Sequence, residues 1–221
     1  MVHPFIDIHC HAASTSGKIA LVSQYVSPAL VVTPPSTDSA FISLGIHPWY
    51  TSEESFDSQW EFLEKRLQTG GYAAVGECGL DRLKGPPLPF QSYVLLKHCQ
   101  LAADLDLPVV LHIVKAFSDL LTFQKKHRFP NPKIVHGFRG NRYEAEQLIR
   151  YGFHLSFGEA LLHGQPKLED AFLYVPLDKI FLETDTSIVS IEKIYEKAAQ
   201  LKRISVDELI EQITNNFEAI R

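Results

Sequence analysis

The sequence predicts an α/β protein built as a TIM-like (β/α)8 barrel, distorted, with helices missing or shortened near the N-terminus. Three observations carry this. Eight short apolar runs have strand length and composition. Helical periods separate most of them, as βαβ units of a parallel sheet require. Near the N-terminus there is no room for a helix between His11 and Ile19, and the segment before the third run is rich in proline and β-branched residues. A doubly wound sheet is the runner-up.

The expected strands cover residues 5–9, 19–22, 41–46, 73–77, 109–112, 133–136, 153–157 and 180–183. The expected helices cover 58–68, 88–105, 116–127, 143–151, 165–174 and 191–201. A last helix, 206–220, follows "SVDEL", where Ser205 and Glu208 fit the S/T-x-x-E capping box. Its residues Leu209, Ile210, Ile213 and Phe217 recur at helical spacing and are expected to cover apolar strand faces around residues 19–22 and 29–32 that lack helices of their own. "SQYVSPALVVTPPSTDSA" is a poor helix, and "VTPPSTDS" and "KGPPLP" read as loops.

With 221 residues and 45% hydrophobic content, the chain supplies one sizeable core, so a single domain over residues 1–221 is expected. No apolar run approaches the roughly 18 to 20 residues of a membrane span, and the N-terminus lacks the order of a signal peptide. A soluble, cytoplasmic protein with no membrane partner follows as the expectation, and a monomer. Cys10, Cys78 and Cys99 are an odd set without C-x-x-C spacing, which argues against a disulfide framework and a zinc ribbon. A net charge of -5 gives no long-range field to gather nucleic acid, so any phosphate recognition must be local.

The strand ends carry the chemistry. "PFIDIHCHAAS" places His9 and His11 on one face of the first strand. Alone, a His-x-His is as well read as a polar strand terminus. Glu77 ends the fourth strand, His112 the fifth, His136 the sixth, and Asp185 follows the eighth. In a (β/α)8 barrel all carboxyl ends meet on one face. Imidazoles and carboxylates together suit zinc, manganese or magnesium. Four histidines and two carboxylates exceed the needs of one tetrahedral ion, so a pair of ions sharing a carboxylate is the simplest reading. His47 ends the third strand, where it hydrogen-bonds a ligand or contacts substrate. Trp49 and Tyr50 offer base stacking or rim packing. Lys84, Lys115, Arg139 and Arg142 follow strands at that face and suit flanking phosphates, or serve as solvated surface charges. Glu183 either supports the ligands or ends its strand. His3, His98, His127, His154 and His163 stand outside the pattern and read as surface or packing residues.

The order HCH, GIHP, GECGLD, LPVVLH, VHGFRG and FLETD resembles the TatD family of metal-dependent hydrolases and deoxyribonucleases, within the wider amidohydrolase group of barrels. The resemblance runs from Phe5 to the C-terminal helix. It implies a distorted TIM barrel with two divalent ions (Zn, Mg or Mn) and hydrolysis of phosphodiester bonds, typically in DNA. It matches His9 and His11 to the opening pair, Glu77 to the bridging carboxylate, His112 and His136 to the two strand-end histidines, Asp185 to the last aspartate and His47 to the GxHP histidine. It implies Asp185 and Glu77 as the catalytic carboxylates, one handling the attacking water and the other holding the ions together. The expected substrate is nucleic acid, single-stranded or at strand ends. The chain departs from the family at "HIVKAF", "HGFRG" and "ETDTS", so Lys115 and Arg139 are candidates to replace phosphate contacts from new positions. Two other readings stay open: hydrolysis of a small cyclic amide, lactone or ester on the same ligands, and a metal-holding interaction protein without turnover.

Overall fold

The computed structural model describes residues 3–12, 18–26 and 39–221. Eight strands form one sheet in the order of the sequence, from β1 to β8. They are β1 Phe5–Cys10, β2 Lys18–Tyr25, β3 Ala40–Gly45, β4 Ala74–Asp81, β5 Val109–Val114, β6 Lys133–Val135, β7 His154–Phe157 and β8 Ile180–Leu182. The helices are α1 Glu53–Gln68, α2 Leu88–Leu105, α3 Phe117–His127, α4 Arg142–Arg150, α5 Pro166–Tyr174, α6 Ile191–Lys202 and α7 Val206–Ala219. The pairs β1–β2, β3–β4, β4–β5 and β7–β8 are all parallel. Cys10 bridges Asp185 in parallel, so the first strand also meets the end of the last. This is the expected (β/α)8 order. Among the described residues no helix precedes Pro48. The stretch 29–32 and most of "SQYVSPALVVTPPSTDSA" lie outside the described residues. No helix among the described residues is long and apolar enough to cross a membrane.

The chain divides into two compact units. The first comprises Met1–Val22, Thr37–Phe41 and Val135–Arg221. Here α6 and α7 pack on β1 and β8. Ser205 caps α7 by accepting from Glu208 N–H at 3.1 Å, while Glu208 Oε2 accepts from Ser205 N–H at 2.7 Å. Leu209, Ile210, Ile213 and Phe217 are all buried on its inner side, each contributing about 1.5–3 kcal/mol by leaving water. The Phe217 ring lies 5.6 Å from that of Phe41 at the start of β3. Among the strands, α7 packs chiefly on β1 and β8, while Ala20 and Val22 pack with Cys10 and Ala40. The buried Tyr195 of α6 donates to Ile6 O at 3.0 Å and accepts from Ile6 N–H at 3.1 Å, which pins the start of β1.

The second unit comprises Ser23–Ser36 and Ile42–Ile134. Its helix α1 begins five residues before the expected start, because Ser52 caps it through Ser55 N–H and the acidic Glu53 and Glu54 occupy its first turn. Strand β4 runs on to Asp81, beyond the expected end at Glu77. Two glycines permit this: at Gly76 (φ 134°) and Gly79 (φ 154°) a Cβ would collide with the carbonyls of Val110 and His112, so only glycine lets β5 approach this closely. The pairing slips between Val75 and Cys78, and Glu77 sits in that irregularity. From α2, the fully buried His98 accepts from Ile46 N–H through Nε2 at 3.0 Å and donates Nδ1–H to Val94 O at 2.8 Å. It thus holds the backbone just ahead of His47.

Candidate metal centre

In the first unit, His9, His11, His136 and Asp185 gather at strand ends. His9 is fully buried. Its Nε2 lies 3.8 Å from Asp185 Oδ1, and His11 Nε2 lies 3.3 Å from the same oxygen. The rings of His9 and His136 approach to 4.1 Å. Ligand atoms of His9, His136 and Asp185 all fall within 4.8 Å of one another. Tetrahedral ligands with bonds of about 2.1 Å stand about 3.4 Å apart, so these separations fit one divalent ion among the donors.

The backbone explains why Asp185 arrives here. It takes the left-handed conformation at φ 53°, which aspartate tolerates better than most residues. Its N–H donates to His9 O at 2.9 Å. The residue before it is gripped as well: Thr184 N–H and Oγ1 donate to the two oxygens of Asp7 at 3.0 and 2.6 Å. Burial pushes Asp7 up to about 6 in spite of those bonds. Burial would also raise Asp185, yet the hydrogen bond from His11 and the neighbouring His136, His9 and His11 hold it below the ordinary aspartate value. Asp185 is therefore an ionised carboxylate at neutral pH. Glu183, 1% exposed, accepts from Gly137 N–H at 2.6 Å and lies 3.6 Å from His136 Nδ1. It supports the turn that carries His136.

In the second unit, His47, Glu77 and His112 form a buried group whose ligand atoms also lie within 4.8 Å of one another. Glu77 Oε1 is 2.9 Å from His112 Nδ1 and 3.2 Å from His47 Nε2. His47 Nδ1 accepts from Trp49 N–H at 3.0 Å, so in neutral His47 the proton sits on Nε2 and points at Glu77. His47, a candidate for substrate contact, is thus directed at a ligand. On the other side of His112, Nε2 lies 3.2 Å from Asp81 Oδ2, which also accepts from Trp49 Nε1–H at 2.6 Å. Asp81 Oδ1 accepts from the N–H groups of Leu83 and Lys84 at 2.7 and 3.1 Å. Burial alone would raise Asp81, but the bonds from Trp49, Leu83 and His112 hold it below the ordinary value. A ligand imidazole held by a buried carboxylate keeps its orientation and gains basicity.

Asp7 and Asp81 are the supporting residues that sequence reasoning missed. The signal was present in the sequence: Asp7, His9 and His11 stand two residues apart, as do Glu77, Gly79 and Asp81, the spacing at which strand side chains point the same way. Among the cations, Lys115 is exposed at φ 53° just past β5. Arg139 is exposed and lines a cavity of about 320 Å³ that also reaches Asp185, Glu159 and Ile188. Arg142 turns away to Asp170, 3.4 Å distant, and to the Tyr174 ring. Tyr50 stacks on Tyr25 at 4.5 Å, and Lys84 Nζ stands over the Trp49 ring at 3.9 Å.

Imidazoles and carboxylates collected at strand ends of a (β/α)8 sheet are the donor set of a divalent-metal site on the face where such barrels carry their active sites. The chain belongs to the TatD-related DNase family, whose model matches residues 23–220. It is 26% identical to the uncharacterized metal-dependent hydrolase YjjV of Escherichia coli K12, over 98% of this chain and 97% of that protein. The crystal structure of a YjjV TatD homologue from E. coli K12 superposes with a TM-score of 0.84 at 25% identity, covering 100% of this chain and 98% of that one. A protein of Erwinia tasmaniensis named 3'-5' ssDNA/RNA exonuclease TatD is 31% identical over 77% of this chain and 66% of its own length.

Proposed function

We propose that the protein hydrolyses phosphodiester bonds in nucleic acid, acting on single strands or strand ends, with two divalent ions held by His9, His11, Glu77, His112, His136 and Asp185. The observation that carries this reading is the pair of imidazole–carboxylate groups, each sized for one ion, in a chain whose relatives include a protein named as an exonuclease of single-stranded DNA and RNA. Divalent ions so held supply Lewis acidity, drawing charge from phosphoryl oxygens and acidifying water towards a pKa of about 7.

The chain's own residues do the rest. Asp185, ionised and beside the cavity, orients the attacking water and accepts its proton as the new P–O bond forms and the old one breaks. Glu77, contacted by His47 and His112, would be the carboxylate that holds the ions in place. Arg139 at the cavity wall and Lys115 past β5 meet the phosphate oxygens. A net charge of -5 leaves recognition to such local contacts.

The test is a metal-dependence screen of the purified protein on labelled single strands, blunt duplexes, and small esters, lactones and cyclic amides. Cleavage of single strands, lost with a chelator and restored by Zn, Mg or Mn, is the expected result. Turnover of a small ester or amide with intact nucleic acid would replace this reading with a small-molecule hydrolase. No turnover of any substrate by metal-loaded protein would leave a metal-holding protein.

A further inference from the structure

The loop after β4 is clamped more tightly than a surface connection requires. Gln91 of α2 accepts from Asp81 N–H at 2.7 Å, and its Nε2 donates to the carbonyls of Asp81, Lys84 and Pro86 at 2.9, 3.3 and 2.7 Å. Asp81 holds the amides of Leu83 and Lys84 from within. Gly85, at φ 93°, packs so closely on the Pro48 carbonyl that no side chain fits there. Both the amide and the carbonyl of Lys84 are thereby fixed.

Its side chain is placed as well. Lys84 Nζ lies 3.9 Å from the Trp49 ring centroid, a cation–π contact that orders a long side chain while leaving its charge in water. The Trp49 ring is fixed in turn by its indole N–H on Asp81 and by an edge contact to the His112 ring, 5.3 Å between centroids. The Asp81 oxygens already serve Leu83, Lys84, Trp49 and His112. Among the described residues no carboxylate pairs with the Lys84 ammonium, in contrast to Arg82, whose guanidinium is bidentate on Asp119 at 2.8 and 2.9 Å. Two cations two residues apart on one loop thus have different fates: one is neutralised, and the other is held one ring beyond a candidate metal ligand with its charge unspent.

We propose that Lys84, fixed on Trp49 by the clamped loop, is the binding site for a phosphate of the substrate strand other than the one being cut. The proposal rests on the phosphodiesterase reading above for what the strand is doing there, but binding can be measured without catalysis. A single cation at a fixed place suits a strand whose neighbouring phosphates stand at regular intervals, and it gives a protein of net charge -5 one sequence-independent hold.

The experiment measures anisotropy of a labelled short oligothymidylate with metal-free protein across a salt series, for wild type, Lys84→Met and Lys97→Met. Lys97 is the matched control: it stands over the Trp60 ring at 4.8 Å, so its replacement removes the same charge from the same kind of contact elsewhere. Lys84→Met should weaken binding roughly fivefold at low salt, the range of one exposed ion pair. It should also make the slope of log K against log salt shallower by about 0.7, one single-strand phosphate contact. Lys97→Met should do neither. Wild type that binds no oligothymidylate, or Lys84→Met that binds it as wild type does, overturns the proposal. Lys84-dependent binding by a protein that cleaves no phosphodiester once metal-loaded would support this site and strike only the hydrolytic reading.

Discussion

Replacing His98 by glutamine removes a titrating group from the core while keeping a neutral acceptor for Ile46 N–H. Complete burial drives the imidazole down to about 4, from an ordinary value near 6.5. Between those values the unfolded chain takes up a proton that the folded chain refuses, so the contribution of His98 is full above pH 6.5 and is lost as pH falls towards 4. From pH 7.5 to pH 5 the loss is about 2 kcal/mol, a large part of the stability of an ordinary domain. His154, also lowered to about 4 by burial, adds a similar amount in both proteins. Asp7, raised to about 6, works in the opposite sense, again in both. Urea unfolding in chelator at pH 7.5, 6 and 5 isolates the difference. Wild type should lose about 2 kcal/mol more than His98→Gln over that range. At pH 7.5 His98→Leu, which leaves the Ile46 amide unsatisfied, should cost about 1–3 kcal/mol. Equal pH dependence in wild type and His98→Gln would refute the argument that His98 is held neutral in the fold.

Three further outcomes follow from the centre itself. Asp185→Asn should fold like wild type by circular dichroism and lose about 10²–10⁴ in turnover; unchanged turnover at saturating metal removes its role with the water. Glu77→Ala should lower metal content measured by elemental analysis from about two ions per chain to one or fewer, and a wild-type stoichiometry of one that the substitution leaves alone would remove the shared carboxylate. Asp81→Ala should weaken metal affinity about 10–100-fold in chelator competition by releasing His112, whereas undiminished affinity would confine Asp81 to shaping its loop.

The strands were legible because each is a short apolar run between turn residues, and most helix limits fall within two residues of their expected places. The start of α1 was obscured because its N3 partner is Ser55, where a capping box more often has glutamate or glutamine. The extension of β4 was hidden by Gly76 and Gly79, residues that ordinarily weaken a strand but here admit β5. The candidate ligands could be read one by one, since each stands at the end of a run. Their supports could not. Asp7 and Asp81 look like polar interruptions until Thr184 and Trp49 are brought to them across the fold. Nor does the sequence separate Arg142, spent on Asp170, from Arg139, which lines the cavity, because both simply follow β6.

The link between β1 and the residue after β8 also couples assembly to chemistry over time. Asp7 and Thr184 are 177 positions apart, and the same short stretch joins Asp185 N–H to His9 O. During synthesis the opening histidines emerge long before the aspartate that completes their group, so a growing chain carries at most three of its four members until its eighth strand is released. In the finished protein the dependence runs the other way. An ion seated on His9 and Asp185 would tie the earliest strand to the latest, and anything that loosens α6 or α7 from them would be felt as faster ion release. Retention of metal under mild denaturant would then gauge whether the two ends of the chain remain joined.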